Sequence, residues 1–483
     1  MPATLGRIPP GRWLLAALLA CLLALTSAAA GAVLPAPVER ILRAQRLPES
    51  AVSILVTEAG GAEPLLSVNP ELPRAPASTI KLVTTYVALE LLGPTYSWPT
   101  KVYALGSIVN GTLEGDLVIK GFGDPYLVEE DYWKLLAEIR RAGIRRITGD
   151  LVIDDSHFAA PKDDAGAFDG QAYRQYNVLP NAFLVNFKAV NFEFAPAADG
   201  KRVVIGSEPE LPNLKIENDV RLTNGACGDA DNAITMTVPN RATADRVIFS
   251  GNYPKSCGTQ VLPRTALTPA MYAFGLFQTY WKQWGGTIDG KVRRGYAPPG
   301  AKPLVIWYSR PLHEIIRPLN KWSNNIMADA FFYTLAGTAN PPPLAPEQGA
   351  AVVRNFFAAH HIDASYLVLE NGSGLSRKTR ITAENMMGLL QHAWAGPYMP
   401  EFLASLPLAG LDGTLRKHFK RQPEAGRIHA KTGLIDGVVA IAGYVRAKSG
   451  RTFCVVLFVN HPLATNGSGR LLQDAVLRWA FEQ

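Results

Sequence analysis

Near the C-terminus, "VVAIAGYVRAKSGRTFCVVLFVN" (residues 438–460) sets two long apolar runs on either side of Lys448-Ser449-Gly450. Runs rich in Val, Ile and Phe that flank a Gly-containing turn read as paired strands. The segment behind them, "GRLLQDAVLRWAFEQ", closes the chain as a helix. At the other end, "AVSILVTEAGG" and "EPLLSV" form a hairpin pattern with a Gly-Gly turn, preceded by an amphipathic helix in "PVERILRAQRL". The two hairpins are expected to share one antiparallel sheet flanked by the outer helices. Helices from the middle of the chain add a second layer, which makes this an α/β chain of the α+β type.

Between these ends the texture changes. "ASTIKLVTTYVALELLG" repeats Ile80, Val83, Val87 and Leu91 at helical spacing and stops at Gly93. From Pro99 to Pro263 short strands and turns dominate. Here "GDLVI" occurs twice, at residues 115–119 and 149–153, with the helical pattern "DYWKLLAEIRRAGI" between the copies. That order predicts a strand–helix–strand module inside a strand-rich insertion, residues 99–263, of one or two small subdomains. Helices return from Ala266, so residues 33–98 and 264–483 are expected to form one interrupted domain.

The first 32 residues have the layout of a secretory signal. Arg7 and Arg12 precede the apolar run Trp13 to Leu25, small residues follow at Ala28 and Ala30, and the cut is placed near Ala30 or Ala32. Cys21 falls in the discarded part, and no other stretch is long and apolar enough to span a bilayer. Export favours disulfides, so Cys227 and Cys257 are candidates to close a loop, while Cys454 reads as a buried thiol in a strand. Without Arg7 and Arg12 the net charge is about +5, and the basic residues are scattered. That pattern argues against nucleic acid and fits either general solubility or retention on an anionic polymer. No Cys-x-x-Cys or H-E-x-x-H pattern is present, so no metal or cofactor is indicated.

Chemistry concentrates in three short patterns. Ser78 and Lys81 stand three apart at a helix start, which puts both on one face. Free backbone N–H groups there favour negative charge on the hydroxyl. A lysine desolvated among apolar neighbours loses its proton more easily and becomes a base that needs no histidine. An isolated Ser-x-x-Lys would more often be a cap and a surface cation. However, this is the chain's single match, and two further patterns follow it. Ser-x-Asn occurs at Ser67, Ser250 and Ser323, and only Ser323-Asn324-Asn325 has a helical setting, "KWSNNIMADAFF". Lys431-Thr432-Gly433 occurs once, in a strand before the C-terminal hairpin.

Ser-x-x-Lys, Ser-x-Asn and Lys-Thr-Gly in this order are the signature of penicillin-binding proteins and serine β-lactamases. With "PASTIKL", "GDLVIKGFGDP", "GDLVIDDSHF", "NKWSNNIMAD", "NGSGLSR", "LPLAGLDGTL" and "HAKTG", the chain resembles low-molecular-mass penicillin-binding proteins of the D-alanyl-D-alanine carboxypeptidase/endopeptidase type, which carry a large insertion after the first motif. The resemblance implies a five-stranded antiparallel sheet of the β-lactamase/transpeptidase kind. It implies that Ser78 attacks the bond between the last two D-alanines of a peptidoglycan stem peptide, that Lys81 takes its proton, and that Ser323, between Lys81 and Lys431, passes a proton to the leaving amine. Asn325 would bind the substrate backbone, and Lys431 with Thr432 its terminal carboxylate. The Ser78 and Leu434 amides would form the oxyanion hole beside Gly433. β-Lactams would acylate Ser78, and the setting would be the periplasm, with peripheral association with membrane or wall. Leu434 departs from the pattern, because a Ser or Thr usually follows Lys-Thr-Gly. Arg377 is a candidate substrate contact or a structural ion pair, and Asp169 a candidate partner for a diaminopimelate amine.

Two other readings carry the same motifs. A β-lactamase needs a water-activating Glu-x-x-Leu-Asn, yet Glu347, Glu370, Glu384, Glu401 and Glu424 all lack an Asn four residues on. A non-catalytic wall-binding protein would have little use for three complete motifs.

Overall fold

The computed structural model describes residues 34–483 apart from Thr243, so the expected signal segment and Cys21 lie outside the described residues. Helix α1 (Ala36–Ala44), strands β1 (Val52–Glu58) and β2 (Pro64–Val68) and helix α2 (Lys81–Leu92) come first. After the insertion follow α3 (Leu312–Trp322), α4 (Asn325–Ala336) and α5 (Ala383–Ala395), then strands β3 (Ile428–Ile435), β4 (Val438–Arg446) and β5 (Thr452–Asn460), and finally α6 (Ser468–Glu482). The strands form the expected five-stranded sheet in the order β3-β4-β5-β1-β2, every neighbour antiparallel.

Alternate residues of these strands serve two different cores, because successive side chains leave a strand on opposite faces. Val439, Ile441, Val455, Leu457, Ile54 and Val56 pack with Val38 and Leu42 of α1 and with Leu472, Val476 and Leu477 of α6. Ala440, Ala442, Cys454, Val456, Phe458 and Leu55 pack on the other face with Leu82, Val83 and Tyr86 of α2, Phe331 of α4 and Leu389 of α5. Each aliphatic side chain buried this way contributes roughly 1.5–3 kcal/mol. Helices covering both faces explain why the strands are almost continuously apolar.

The inserted region has its own core. Strands Pro99–Val109 and Thr112–Gly121 form a hairpin, and Leu151–Asp154 joins Thr112–Gly121 in parallel. The repeated "GDLVI" is explained by this pairing, since Leu117, Val118 and Ile119 lie opposite Leu151, Val152 and Ile153, with helix Glu129–Arg141 as the crossover. Two three-stranded sheets complete the region, and Phe192, Phe194 and Phe249 join Leu117, Tyr132 and Ile153 in one continuous cluster.

The expected boundary at residues 263–264 needs correction. Tyr272, Phe277 and Trp281 of helix Pro269–Gln283 are buried in the insertion's core. Strand Val305–Tyr308 pairs with Pro99–Val109, so the insertion's sheet closes at Tyr308, opposite Pro99. The change from strand to helix near residue 266 marks a change of element and not a change of core.

Cys227 and Cys257 are disulfide-bonded, and Cys454 is buried with its thiol pushed up to about 12 by burial. A thiol that reluctant to ionise is inert. For residues 34–483, thiol titration should find nothing reactive in the folded protein and one group after unfolding without reductant. Two or more would mean that the bond does not form.

Candidate active site

Ser78 lies in a tight turn, Ala77–Ile80, of the 3₁₀ type, and this turn runs straight into α2. The sequence led to a first α-helical turn, whereas the helix proper begins at Lys81. The Pro76 carbonyl accepts from the Thr79 amide (3.2 Å) and hydroxyl (2.7 Å). Ala77 has φ 45°, a left-handed conformation that costs a residue with a Cβ about 1–2 kcal/mol. Its surroundings hold it there. A Cβ on Gly374 would come 2.1 Å from the Ala77 carbonyl oxygen, and one on Gly433 would come 2.6 Å from that of Pro76 and 3.1 Å from the Ser78 nitrogen. Two glycines thus let the backbone close around the serine, and Gly433 brings β3 against it.

Lys81 is fully buried, and its Nζ donates to Ser78 Oγ at 2.9 Å, Asn325 Oδ1 at 2.7 Å and the Ser373 carbonyl at 2.6 Å. These three acceptors use all three N–H bonds of an ammonium. When one proton leaves, the other two acceptors keep their donors and the lone pair is left facing Ser78. Burial drives the Lys81 pKa down to about 7, opposed by the negative charge of Asp329. Asp329 is itself raised, chiefly by burial, and the charge of Lys81 and bonds from Ser373 and the Gly372 amide pull it back. Asp329 stands four residues after Asn325, on the same face of α4.

Ser323 occupies the break between α3 and α4 with φ 59°, and Asn324, not Ser323, caps α4 by accepting from the Met327 amide at 3.1 Å. Being left out of both helices frees the Ser323 hydroxyl to accept from Lys431 Nζ at 2.8 Å, while the same Nζ donates to the Thr432 carbonyl at 2.7 Å. Burial first, and then the charge of Lys81, lower the pKa of Lys431 well below its ordinary value. Short contacts thus join Ser78 and Asn325 through Lys81, and Ser323 to Lys431, across more than 350 residues of sequence. The two sets are linked by the effect of the Lys81 charge on Lys431, and the Ser323 hydroxyl is bonded on the Lys431 side.

Thr432 Oγ1 donates to Thr414 Oγ1 at 2.8 Å, and Leu434, two residues on and on the same side of β3, is 66% exposed. Among the described residues Arg377 makes no ion pair. Its guanidinium lies over the Phe168 ring at 4.7 Å and donates to the Asp436 carbonyl at 3.0 Å, just past the end of β3. Asp169 is spent on its own loop, accepting from the Gln171 amide, the Tyr176 hydroxyl and Asn177 Nδ2 at 2.7–2.9 Å. Those bonds outweigh burial and hold its carboxyl below the usual range. Asp169 is therefore a brace within the insertion and not a free partner for a substrate amine.

Sequence reasoning missed Asp329, Ser373, Thr414 and Tyr176. The first had a signal, its place one turn beyond Asn325. Ser373 and Thr414 stand in the quoted segments "NGSGLSR" and "LPLAGLDGTL", but like Tyr176 they act through main chain or by proximity across the fold, and local spacing assigns them no role. A groove of roughly 710 Å³ opens beside Ser323 and Asn325, walled by Trp322 and, from the insertion, by Arg174, Tyr176, Asp231 and Val261. Ser78 and Lys431 are not part of its walls.

Comparison with known proteins gives the family. A family model described as the D-Ala-D-Ala carboxypeptidase 3 (S13) family matches residues 34–483. A D-alanyl-D-alanine carboxypeptidase of Actinomadura sp. is 30% identical over 449 residues, covering 89% of this chain and 81% of that protein. The D-alanyl-D-alanine carboxypeptidase DacB of Haemophilus influenzae is 26% identical over 427 residues, covering 86% and 87%. The crystal structure of penicillin binding protein 4 (dacB) from the same organism superposes with a TM-score of 0.79 at 23% identity, over 92% of this chain and 99% of that one. With the Ser-x-x-Lys and Ser-x-Asn motifs joined at Lys81, the Ser-x-Asn and Lys-Thr-Gly motifs joined through Lys431 and Ser323, and a family match over the whole described chain, this protein belongs to the D-Ala-D-Ala carboxypeptidase 3 family of serine peptidases.

Proposed function

We propose that the protein hydrolyses the D-alanyl-D-alanine bond of peptidoglycan stem peptides through an ester on Ser78, and that β-lactams acylate the same oxygen. The observation that carries this reading is the 2.9 Å contact between Ser78 Oγ and the wholly buried Lys81 amine. Neutral Lys81 takes the hydroxyl proton as Oγ bonds to the carbonyl carbon. Negative charge builds on the carbonyl oxygen, and the amides of Ser78 and Leu434 receive it. The C–N bond then breaks, and the departing nitrogen collects a proton through Ser323, which Lys431 holds at 2.8 Å. Water cleaves the ester, returning the proton to Ser78 and leaving a shortened peptide acid.

The paired hydroxyls of Thr432 and Thr414, with Lys431 beneath, suit a terminal carboxylate, and Asn325 suits the peptide backbone. Arg377, stacked on Phe168 beside the end of β3, would contact the substrate's side chain or its carboxylate. Leu434 contributes its amide and offers no hydroxyl. Replacing it by the residue common in such enzymes, Leu434→Thr, should lower KM for D-Ala-terminated peptides by roughly 3–10-fold with kcat nearly unchanged, since a carboxylate gains one neutral hydrogen bond. Unchanged kinetics would show that the carboxylate sits elsewhere. Whether the second strand of a cross-linked peptide is also accepted is the endopeptidase half of the proposal. Secretion into the periplasm accords with this substrate, and among the described residues no helix is long and apolar enough to cross a membrane.

Intact mass after incubation with benzylpenicillin, followed by peptide mapping, tests the assignment. A lasting gain of one penicillin at Ser78 is expected. A gain mapped to another residue contradicts the site, and rapid turnover with no adduct would favour a β-lactamase.

A further inference from the structure

The insertion reaches the catalytic motifs through a main-chain atom. Asn325 Nδ2 donates to the Tyr176 carbonyl at 3.0 Å, while Asn325 Oδ1 accepts from Lys81 at 2.7 Å. A primary amide can turn over with almost no change in shape, exchanging its oxygen and nitrogen. A carbonyl can only accept, so Tyr176 admits just one of the two orientations. Lys81 cannot enforce that choice at the moment it acts as a base, because a neutral amine accepts as readily as it donates. With the Tyr176 carbonyl displaced, Asn325 could present its NH₂ to Lys81 and occupy the lone pair that Ser78 needs.

The segment that carries this carbonyl is fastened at three points. Asp169 binds the Tyr176 hydroxyl and Asn177 Nδ2. The Tyr173 carbonyl accepts from the amide (3.1 Å) and hydroxyl (3.2 Å) of Thr265. Arg174 pairs with Asp231, which also accepts from the buried Arg264 at 2.7 Å. Asp231 sits on the short helical turn Ala230–Ala233, just past the Cys227–Cys257 bridge. A lone exposed ion pair would be worth little. Here the carboxylate is shared between two guanidinium groups, one of them buried, and the pair ties two separate parts of the insertion together.

We infer that Arg174, Asp231 and Arg264 form a positioning device for Asn325, fixing through the Tyr176 carbonyl which way round the Asn325 amide faces Lys81. The inference rests on the acyl-enzyme reading above, and it gives the insertion a part in the chemistry over 100 residues of sequence away.

The test is the second-order rate of acylation by benzylpenicillin. Arg174→Ala and Asp231→Ala should each slow it by about tenfold, and the double variant by no more than either alone, as expected for residues acting as a unit. Arg174→Lys should keep most of the rate. The acid limb of the pH profile should move to lower pH by about half a unit, because an ammonium that loses an acceptor gives up its proton more easily. The charged groups that face Lys81, Asp329 from α4 and Lys431 from β3, are unaltered by these changes. In an Asn325→Ala background the Arg174→Ala penalty should vanish. A penalty that persists there would mean general damage to the fold, and no penalty in the native background would mean that the cluster does not act on Asn325; either overturns the inference. If the unmodified protein is not acylated at Ser78, the reading of the site fails instead.

Discussion

Lys81→Met is expected to abolish acylation while making the protein more stable. The rate should fall by about 10³–10⁴, the upper part of what a positioned base supplies. The stability gain follows from the same burial that makes the amine a base. In the unfolded chain the amine holds its proton up to its ordinary value of 10.5, and in the folded protein it gives it up near 7. Between these values the unfolded state binds the additional proton, so the unmodified protein becomes more stable as pH rises from about 7 towards 10.5. Met fills similar space with nothing to desolvate, although it leaves the Ser373 carbonyl and Asn325 Oδ1 without their donor. A rise in Tm of roughly 2–4 °C near pH 7 is expected, with a flatter dependence of Tm on pH above it. A variant that lost activity and stability together would mean that the charged amine is a structural ion and not a base.

Gly433→Ala should also cost a large part of the rate, by a different route. The added methyl carbon would sit 2.6 Å from the Pro76 carbonyl oxygen and 3.1 Å from the Ser78 nitrogen, against backbone that has no rotamer to change. Either β3 withdraws or the Ala77–Ile80 turn shifts, and both would separate the Ser78 and Leu434 amides proposed as the oxyanion hole. Loss of one oxyanion donor is worth about 10²–10³ in rate, and a drop of about 10² in acylation by benzylpenicillin is expected. Binding before the chemical step should weaken less, so the loss should fall mainly on the rate constant for acylation. Since the strand pairs of Gly433 with Ala440 and of Leu434 with Val439 remain possible, unfolding should stay cooperative with a Tm within a few degrees of the unmodified protein. Full activity in this variant would mean that β3 does not form the wall of the oxyanion site.

The sheet and the three motifs were legible because each is written locally. Residues 438–460 carry two strands and their turn within one stretch, and Ser78 and Lys81 meet because three residues make nearly one turn of helix. The insertion's far boundary was not legible in the same way. Helix Pro269–Gln283 is amphipathic enough to pack on either core, and the pairing of Tyr308 with Pro99 spans more than 200 residues. The left-handed Ala77 and Ser323 were invisible for another reason, since neither position carries the glycine or asparagine that normally announces such a conformation. They are imposed by what surrounds them, Gly374 and Gly433 in one case and the junction of two helices in the other. Asp169 shows the reverse error. An acidic residue in the insertion looked available to a substrate amine, but hydrogen bonds within its own loop consume it.

Catalysis in this account depends on an amine that sheds its proton close to neutrality because it is buried. The pH dependence of the acylation rate constant for benzylpenicillin at Ser78, set beside a direct titration of the Lys81 side chain by carbon NMR, measures that property. The expected result is a common midpoint near 7, with the rate falling tenfold per pH unit below it. A lysine still fully protonated at pH 9 while acylation proceeds at its full rate would contradict it.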